Sequence, residues 1–557
     1  MQETLATLLR PPKRHAESAP AEPSLRLQPR EIPWLPALSR AQLATVMVLA
    51  AVFLVTSFAR LNHTDLWGHL NFGRWIAEHH RLPDADPFRD RGFSESFVNA
   101  PWLSQLLGYR WFTLAGLDGL TLANALLATT IAAALLLALR ARGLSLGGAA
   151  LGAGVAYILT LPIVSTLRPQ LCGELCFALT LLGASQLFTR QAPLFWLPAV
   201  FIAWANLHGS APLGIAVLLA CLVGCGYEQW GRGGTLKTLL ADEAIFRFGI
   251  ATGLALLAMT VNPAGWRGVF DSLAFAHNPI LSGITEWQPL TVSSLSGVLF
   301  FMTLLLTGAL LRYSPRPFRA WEVILLVGFG LAALSALRML AWWSMVWPWI
   351  ALPHLAAICE RRSGRAWLES VARPTTLRTL IATAVVFATL VWSPATHGLI
   401  TGNPRPEALA IDSQTPLLIG DALAQKGITG RVFAPLDWAD YFVWKTHAAV
   451  QPLIYSHVHL ADQGTWNDYQ KLTAGVAEWL EIADYEGLQY LVIRRESQRG
   501  LDAAASRSPR CHILYRDQIA TLVEIMPIEK AVAPRSTARP SEASTIRAAG
   551  CAIVPLR

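Results

Sequence analysis

The sequence has few charged residues for its length. Asp, Glu, Lys and Arg make up 15% of its 557 residues, whereas hydrophobic residues make up 53%. Soluble domains carry about 25% charged residues. A water-soluble chain of this size could not bury so much apolar surface, so the shortage of charge predicts a polytopic membrane protein.

Cysteine is also scarce, with seven residues in all. Four of them form two i, i+4 pairs inside apolar runs, Cys172 with Cys176 and Cys221 with Cys225. Because both pairs lie in apolar runs, we interpret them as small buried hydrophobic residues and expect no disulfide framework. The sequence also begins without an early apolar core, so we expect no cleavable signal peptide.

A nucleic-acid-binding motif is missing as well. The net charge is +8, but the arginines cluster beside apolar runs, as topology signals do, and no basic and aromatic pattern accompanies them. We therefore expect no nucleic-acid partner.

What the sequence does have is a series of about eleven apolar runs. They predict a mainly α, polytopic helical membrane protein with about 11 spans in residues 39–398, after a disordered cytoplasmic tail at 1–38. Several runs are a little shorter than the roughly 20 residues that a straight crossing needs. The predicted spans lie near 41–60, 119–139, 146–165, 170–188, 192–207, 211–228, 245–262, 294–311, 320–338, 342–358 and 379–396.

Basic residues between these runs predict the orientation, because cytoplasmic loops are enriched in Lys and Arg. With a cytoplasmic N-terminus, every basic cluster falls in a cytoplasmic turn, and the region after residue 400 falls outside. The clusters are Arg10 to Arg40, Arg140 and Arg142, Arg190, Arg232 and Lys237, Arg312 to Arg319, and Arg361 to Arg378.

Two segments are too polar to cross a membrane. Residues 61–118 predict a first external loop with short interfacial helices at 72–80 and 102–116. Residues 399–527 alternate strand-like and helical runs and predict a small external α/β domain. Residues 528–557 predict a flexible tail.

The first external loop carries the clearest candidate for chemistry. Asp65 and His69 are i and i+4, so on a helix they share one face. A partly desolvated carboxylate at a membrane boundary can serve as a base, which His69 would orient or assist. The alternative is an interfacial helix cap at Asp65. Asp84 and Asp86 flank prolines, which favours turns, although Asp86 is kept as a candidate substrate contact.

Two arginines fall on the external side, against the positive-inside tendency. Arg168 precedes Pro169, and Arg338 lies at another external boundary. Each guanidinium is suited to bind a lipid phosphate in a two-pronged manner. The alternative for each is snorkelling or an ion pair with a neighbour.

Further polar and aromatic residues fall on the same side. A site for a phosphorylated, lipid-linked sugar needs such a set: tryptophan stacks on sugar, arginine holds phosphate and a carboxylate removes a proton. As lone residues, a histidine at a span end is more often structural and a loop acid more often solvated. The candidates for substrate binding are Trp102, Asn206, His208, Glu286 and Trp287, with Trp67 as a groove-lining residue and Asn262 on the same face.

These motifs together resemble a family. The series D-x-W-x-H-L-x-x-G-x-W-I, L-P-x-x-D-P-F, W-L-x-Q, R-P-Q, N-L-H-G, N-P-x-G-W and E-W, followed by a late membrane arginine, resembles bacterial polytopic proteins related to the GT-C glycosyltransferases. The resemblance covers most of residues 41–360. The stretch from Asp437 to Leu460 also resembles the family's external domain, but its turn YSHVHL lacks the family's acid.

The resemblance implies an inverting transferase in the bacterial inner membrane, with a polyprenyl-phosphate sugar as donor and a glycan, lipid or protein as acceptor. Asp65 matches the family's base, and Arg168 and Arg338 would hold the phosphate. Many relatives have an adjacent acidic pair where this chain has Asp65 and Leu66. A divalent ion, Mg²⁺ or Mn²⁺, is therefore only an open possibility, and no residue is assigned as its ligand.

Two other functions remain open from the sequence. A transporter or flippase for lipid-linked glycans would need charges at mid-membrane and an internal repeat of spans, and neither is evident. A non-catalytic assembly partner in an envelope polysaccharide system would use the external domain as a binding module.

Overall fold

The structure is a computed structural model, and it describes residues 35–61, 65–89, 97–161, 167–189, 195–275, 277–364, 366–368 and 373–527. Up to residue 401 the described chain is helical. Its helices are α1 Arg40–Phe58, α2 Leu66–His79, α3 Trp102–Ala141, α4 Leu146–Thr160, α5 Pro169–Thr189, α6 Trp196–Leu207, α7 Ala211–Gly231, α8 Leu236–Ala241, α9 Glu243–Met259, α10 Trp266–Phe275, α11 Leu295–Tyr313, α12 Ala320–Ser335, α13 Leu340–Ser363, α14 Thr376–Trp392 and α15 Pro394–Thr401.

Each of the eleven predicted spans coincides with one of these helices, but eleven crossings are not confirmed. Within the described residues, five helices are long and apolar enough to cross a membrane: α1, α3, α5, α7 and α11. A sixth crossing results if α14 and α15, which meet at a 71° bend, form one broken span. The mainly α, multi-pass membrane fold is therefore confirmed, and the number of crossings is smaller by this criterion.

Tryptophans on α13 help to hold the bundle together. Trp343 and Trp349 are fully buried, and each indole N–H donates to a hydroxyl on another helix. Trp343 Nε1 lies 2.9 Å from Thr303 Oγ1 on α11, and Trp349 Nε1 lies 2.8 Å from Ser185 Oγ on α5. A buried indole needs such an acceptor, and polar contacts of this kind join helices in an apolar surrounding.

Several basic turns meet at one end of the bundle. Glu322, at the start of α12, is fully buried and forms ion pairs with Arg142 at 2.5 Å and with Arg316 at 3.2 Å. Its other oxygen lies 3.2 Å from Nε2 of the buried His354 on α13. Two turns that the positive-inside rule predicts to be cytoplasmic are thus in contact. That this end faces the cytoplasm stays a prediction.

The described part of residues 61–118, which the sequence predicts to be a first external loop, forms helices at the other end, and we keep that name for it. Helices α2 and α3 overlap the predicted ranges 72–80 and 102–116, although α2 starts earlier, at Leu66, and α3 continues through residue 116. That these helices lie in a membrane interface stays a prediction. Gly116 has φ 61° and ψ −156°, so α3 is two helices joined at a kink. At Gly73 a β-carbon would lie 2.1 Å from the carbonyl oxygen of Gln105, so glycine allows α2 and α3 to pack closely.

After residue 401 the chain forms a small α/β domain around a five-stranded sheet of order β2-β1-β3-β5-β4. β1, β2 and β3 are parallel, and β5 pairs antiparallel with β3 and β4. The sequence predicted all of these strands except β4. The elements are α16 Glu407–Ala410, α17 Leu417–Gln425, β1 Gly430–Phe433, α18 Leu436–Lys445, β2 Val450–Pro452, α19 Gln463–Ala474, α20 Trp479–Tyr485, β3 Tyr490–Arg494, α21 Arg499–Arg507, β4 Cys511–Arg516 and β5 Ala520–Ile525.

The α/β domain rests on the first external loop through α18 and α2. At Gly68 of α2 a β-carbon would lie 2.4 Å from the Asp440 carboxylate on α18. Asn71 Nδ2 donates to the Asp440 carbonyl oxygen at 3.0 Å. Trp67 stacks against the rings of Tyr441 and Trp444, with centroids 5.3 and 5.5 Å away. This interface places the start of α2 between the bundle and the sheet.

Candidate active site

An arginine bridges two carboxylates where α2 begins. Arg168 Nε lies 2.9 Å from the Asp65 carboxylate, and its Nη1 lies 2.6 Å from the Glu286 carboxylate. Asp65 immediately precedes α2, Arg168 immediately precedes α5, and Glu286 lies in a 3₁₀ turn at Thr285–Trp287. The fold therefore unites three residues that are far apart in sequence.

Burial lowers the pKa of Arg168, but the charges of Asp65 and Glu286 raise it by more, so its pKa lies above the usual value. The guanidinium is positively charged at any accessible pH. The two carboxylates remain partly exposed, with side-chain exposures of 29% for Asp65 and 36% for Glu286. A substrate can therefore reach both acids while the arginine between them stays covered.

The second predicted arginine lies beside the same cluster. Arg338 lies 4.5 Å over the ring of Trp287 and donates to Gln170 Oε1 at 3.3 Å. The turn that carries it is joined to the Glu286 turn, because Leu337 N–H donates to the Gln288 carbonyl at 3.0 Å. Burial lowers the pKa of Arg338, Glu286 and Asp65 raise it, and Arg168 lowers it. Asp65, Arg168, Glu286 and Arg338 thus form one electrostatic group, which we call the acid–arginine cluster.

One further acid, which the sequence did not single out, is joined to this cluster through Gln170. Glu174 lies one turn into α5, and its carboxylate accepts a hydrogen bond at 3.0 Å from the Nε2 of Gln170. Gln170 therefore connects Glu174 with Arg338. The i, i+4 spacing of Gln170 and Glu174 on the predicted span was the only available signal.

His69 is half-buried and is held by Gln105 of α3. Its Nδ1 lies 3.2 Å from Gln105 Nε2, and Gln105 Oε1 in turn accepts a hydrogen bond at 2.7 Å from Asn99. Burial and the Arg168 charge lower the pKa of His69 to about 3. The imidazole is therefore neutral at neutral pH, and because Gln105 Nε2 donates, Nδ1 is the acceptor. The structure brings His69 to the cluster as a neutral polar group.

The α/β domain adds two histidines that the sequence did not assign. They come from the YSHVHL turn, which sequence analysis noted only for its missing acid. The His457 ring lies 5.3 Å from the His69 ring and 5.8 Å from the His459 ring. Burial, with the charges of His69 and Arg338, lowers the pKa of His459 to about 4. A histidine pair in this turn was a visible signal, but only the fold shows that it meets α2.

Asp440 of the α/β domain is a second acid that the sequence did not single out. It is 2% exposed, and its Oδ2 accepts a hydrogen bond at 3.1 Å from the Ser456 N–H. Burial and the nearby Asp65 charge raise the pKa of Asp440 to about 7. The signal in the sequence was an acidic residue among the apolar and aromatic residues of α18. Asp440 therefore supplies a carboxyl group that is partly protonated at neutral pH.

His208 connects the cluster with a neighbouring cavity. Its Nδ1 lies 2.7 Å from Ser210 Oγ, and burial with the Arg338 and His69 charges lowers its pKa to about 3. A cavity of about 510 Å³ lies beside it, between the first external loop and α10. Trp102, Asn99, Asn262 and Arg267 also line this cavity, whereas Asp65 and Arg168 do not.

Four candidates have structural contacts instead. Trp67 is 1% exposed in the core between α2 and α18, so its predicted place in a groove is wrong. The amide of Asn206 donates to the Ile202 and Val261 carbonyls and accepts from Trp102. Asn262 holds its own turn, through the Met259 and Gly265 carbonyls and the Ala264 N–H.

Asp86 is the fourth of these candidates. It is 6% exposed, accepts a hydrogen bond from Phe88 N–H at 3.0 Å and pairs with Arg89 at 3.8 Å. Both partners are buried within the first external loop. Asp86 therefore stabilises that loop, as the turn interpretation indicated, and the predicted substrate contact is not supported by its position.

Comparison with known proteins identifies the fold. No protein-family model and no curated protein matches the sequence. Among solved structures, the oligosaccharyltransferase AglB of Archaeoglobus fulgidus, in complex with an inhibitory peptide and dolichol-phosphate, is similar with a TM-score of 0.51 and 14% identity over 83% of this chain and 72% of that chain. The chain has the GT-C fold.

The mycobacterial arabinofuranosyltransferase AftD shows the same GT-C fold. Its TM-score is 0.52 at 16% identity, over 88% of this chain and 40% of that longer chain. At such identities the likeness shows the fold alone. The acid–arginine cluster lies where α2 begins, between the bundle and the α/β domain.

Proposed function

We propose that this protein is a membrane glycosyltransferase that takes a sugar from a polyprenyl-phosphate donor. The observation that carries the proposal is the acid–arginine cluster at the junction of the bundle and the α/β domain. The predicted acid and both predicted arginines, separated by up to 273 positions in the chain, meet there within ion-pair and electrostatic range. The GT-C fold of the chain supports the same class of enzyme.

In this proposal Asp65 is the base. Its carboxylate is partly exposed and lies 2.9 Å from Arg168 Nε. It takes the proton from an acceptor hydroxyl, and the acceptor oxygen attacks the anomeric carbon of the donor sugar. The bond from that carbon to the phosphate oxygen breaks, and the polyprenyl phosphate leaves with the electron pair. Attack from the side opposite the leaving group inverts the anomeric configuration.

Arg338 is the better candidate for the phosphate. Among the described residues, Gln170 is the only hydrogen-bond acceptor of its guanidinium, so further N–H groups can reach phosphate oxygens. Arg168 by contrast already contacts two carboxylates. The Trp287 ring lies against the Arg338 guanidinium, 4.5 Å from it, and provides an aromatic surface for the sugar or the lipid. We therefore assign phosphate binding to Arg338 and positioning of the two acids to Arg168.

The acceptor reaches the cluster from the side of the α/β domain. His69, His457 and His459 are neutral at this face. Neutral imidazoles can form hydrogen bonds with an acceptor hydroxyl without adding positive charge beside Arg168 and Arg338. A glycan, a lipid or a protein hydroxyl meets this requirement. We place the reaction at the external face of a bacterial inner membrane, with the N-terminus in the cytoplasm and the α/β domain in the periplasm.

Purified protein in nanodiscs, incubated with a panel of radiolabelled polyprenyl-phosphate sugars and an extract of envelope glycans, tests this proposal. We expect label to move from one donor to an acceptor, and Asp65→Asn to reduce the rate at least about a hundredfold, the usual size of a lost general base. Asp242→Asn is the matched control, because Asp242 only caps α9 and asparagine caps equally well.

Three outcomes separate the candidate functions. Transfer that depends on Asp65 supports the enzyme. Movement of intact lipid-linked glycan across a proteoliposome membrane, without transfer, would indicate a flippase. Binding of envelope glycan with neither activity would indicate an assembly partner, and either of the last two results would overturn the proposal.

A further inference from the structure

The acid–arginine cluster resembles a metal site in that two carboxylates surround one positively charged group, here the Arg168 guanidinium. Two carboxylates from separate elements, Asp65 and Glu286, point at one cation, and that cation is the Arg168 side chain. Mg²⁺ and Mn²⁺ favour such oxygen ligands. The question is whether a divalent ion fits as well.

The residues present do not fit one. The position after Asp65 is Leu66, so no second acid follows the first. Within the part of the chain that the structure describes, no group of three or more His, Cys, Asp or Glu side chains is arranged to hold a metal. The histidines nearby have other contacts, His69 with Gln105 and His208 with Ser210.

Charge argues in the same direction. An ion bound between Asp65 and Glu286 would lie against the Arg168 guanidinium, and it would also feel the positive charge of Arg338. The formal charges of two acids and two arginines already cancel, so a divalent ion would leave this partly exposed cluster with two excess positive charges. Such an excess is costly where water is partly excluded.

We infer that the Arg168 guanidinium takes the place of a divalent cation between Asp65 and Glu286, so that this site works without Mg²⁺ or Mn²⁺. Arg168 is then a positioning residue: it fixes the two carboxylates relative to each other. The inference takes from the proposed function only that the cluster is the active site.

Metal binding tests this directly and does not depend on sugar transfer. Mn²⁺ is titrated into purified protein in nanodiscs of neutral lipid, and free Mn²⁺ is counted by electron paramagnetic resonance. We expect wild type and Asp65→Asn to bind the same amount. Arg168→Ala leaves two carboxylates facing a vacant position, so it is expected to bind about one additional Mn²⁺ per chain. Arg168→Ala combined with Asp65→Asn should lose that ion.

Arg405→Ala is the matched control. Arg405 pairs with the buried Asp118 at 2.6 Å, so its removal also leaves a carboxylate without its arginine, but a single one. It should gain no Mn²⁺. If Arg168→Ala is well folded and gains none either, the inference is wrong.

The wild type provides a test that needs no folded arginine variant. One Mn²⁺ per wild-type chain that disappears in Asp65→Asn or Glu286→Gln would overturn the inference. Equal binding in all three supports it. Failure of the proposed function is a separate result, since it would appear as absent transfer with Mn²⁺ binding unchanged.

Discussion

The buried carboxyl group of Asp440 gives a pH dependence of stability that can be calculated. Burial raises its pKa in the folded protein from 3.8 to about 7. The folded state therefore binds more protons than the unfolded state between these values, and stability falls as the pH rises through this window. Above pH 7 the full cost of ionising Asp440 is about 4 kcal/mol, at about 1.4 kcal/mol per pKa unit.

Asp440→Asn removes this cost. The amide keeps an oxygen for the Ser456 N–H and carries no charge. About 2 kcal/mol of the cost appears between pH 5.5 and pH 8. We therefore expect the Tm of the wild type to fall by several degrees more than that of Asp440→Asn over this range. Thermal unfolding in detergent, with both proteins measured at each pH, checks this.

Glu243→Gln serves as the control, because Glu243 lies at the start of α9 and pairs there with Arg247. Its Tm should follow the wild type at every pH. If the Tm of Asp440→Asn falls with pH in parallel with that of the wild type, the raised pKa of the buried Asp440 carboxyl group is contradicted.

Three further variants probe the interfaces around the site. Gly68→Ala places a methyl group 2.4 Å from the Asp440 carboxylate, so we expect a loss of about 1–3 kcal/mol from overpacking, seen as a lower Tm. Gly226→Ala, inside α7 and with nothing within 4 Å of the added methyl group, should not lower Tm, because alanine favours a helix over glycine. Trp287→Ala removes the ring beside Arg338 and should raise the donor KM about tenfold, the upper range for a partly exposed cation–π contact. Trp287→Phe should retain most of the affinity. An unchanged KM in Trp287→Ala would contradict the assignment of phosphate binding to Arg338. Arg405→Ala leaves Asp118 buried without its ion pair, which should lower the free energy of unfolding by about 3–5 kcal/mol. A stability equal to that of the wild type would show that this ion pair does not stabilise the connection between α15 and α16.

The sequence predicted the helical bundle well, because apolar runs report directly on burial in lipid. It could not fix the number of crossings, since a short helix such as α6 differs little in composition from a true span. The kink at Gly116 falls between the helix predicted at 102–116 and the span predicted at 119–139, so the sequence indicated where α3 changes direction.

The candidate site was predictable in part. Asp65, Arg168, Glu286 and Arg338 were selected for their predicted side of the membrane, and the structure brings these four together. What sequence analysis could not see was the docking of the α/β domain. His457 and Asp440 reach α2 only because Gly68 lets α18 approach, and that long-range contact has no periodicity in the sequence. For the same reason Trp67, which resembles an aromatic residue of the membrane interface, proved to be a core residue.

The most direct test of the account is a structure of the protein in nanodiscs with polyprenyl phosphate bound. The account predicts the phosphate within hydrogen-bond distance of the Arg338 guanidinium, near Trp287, with Arg168 still between Asp65 and Glu286. A phosphate bound elsewhere, or an Arg168 side chain that leaves both carboxylates to a metal ion, would contradict it.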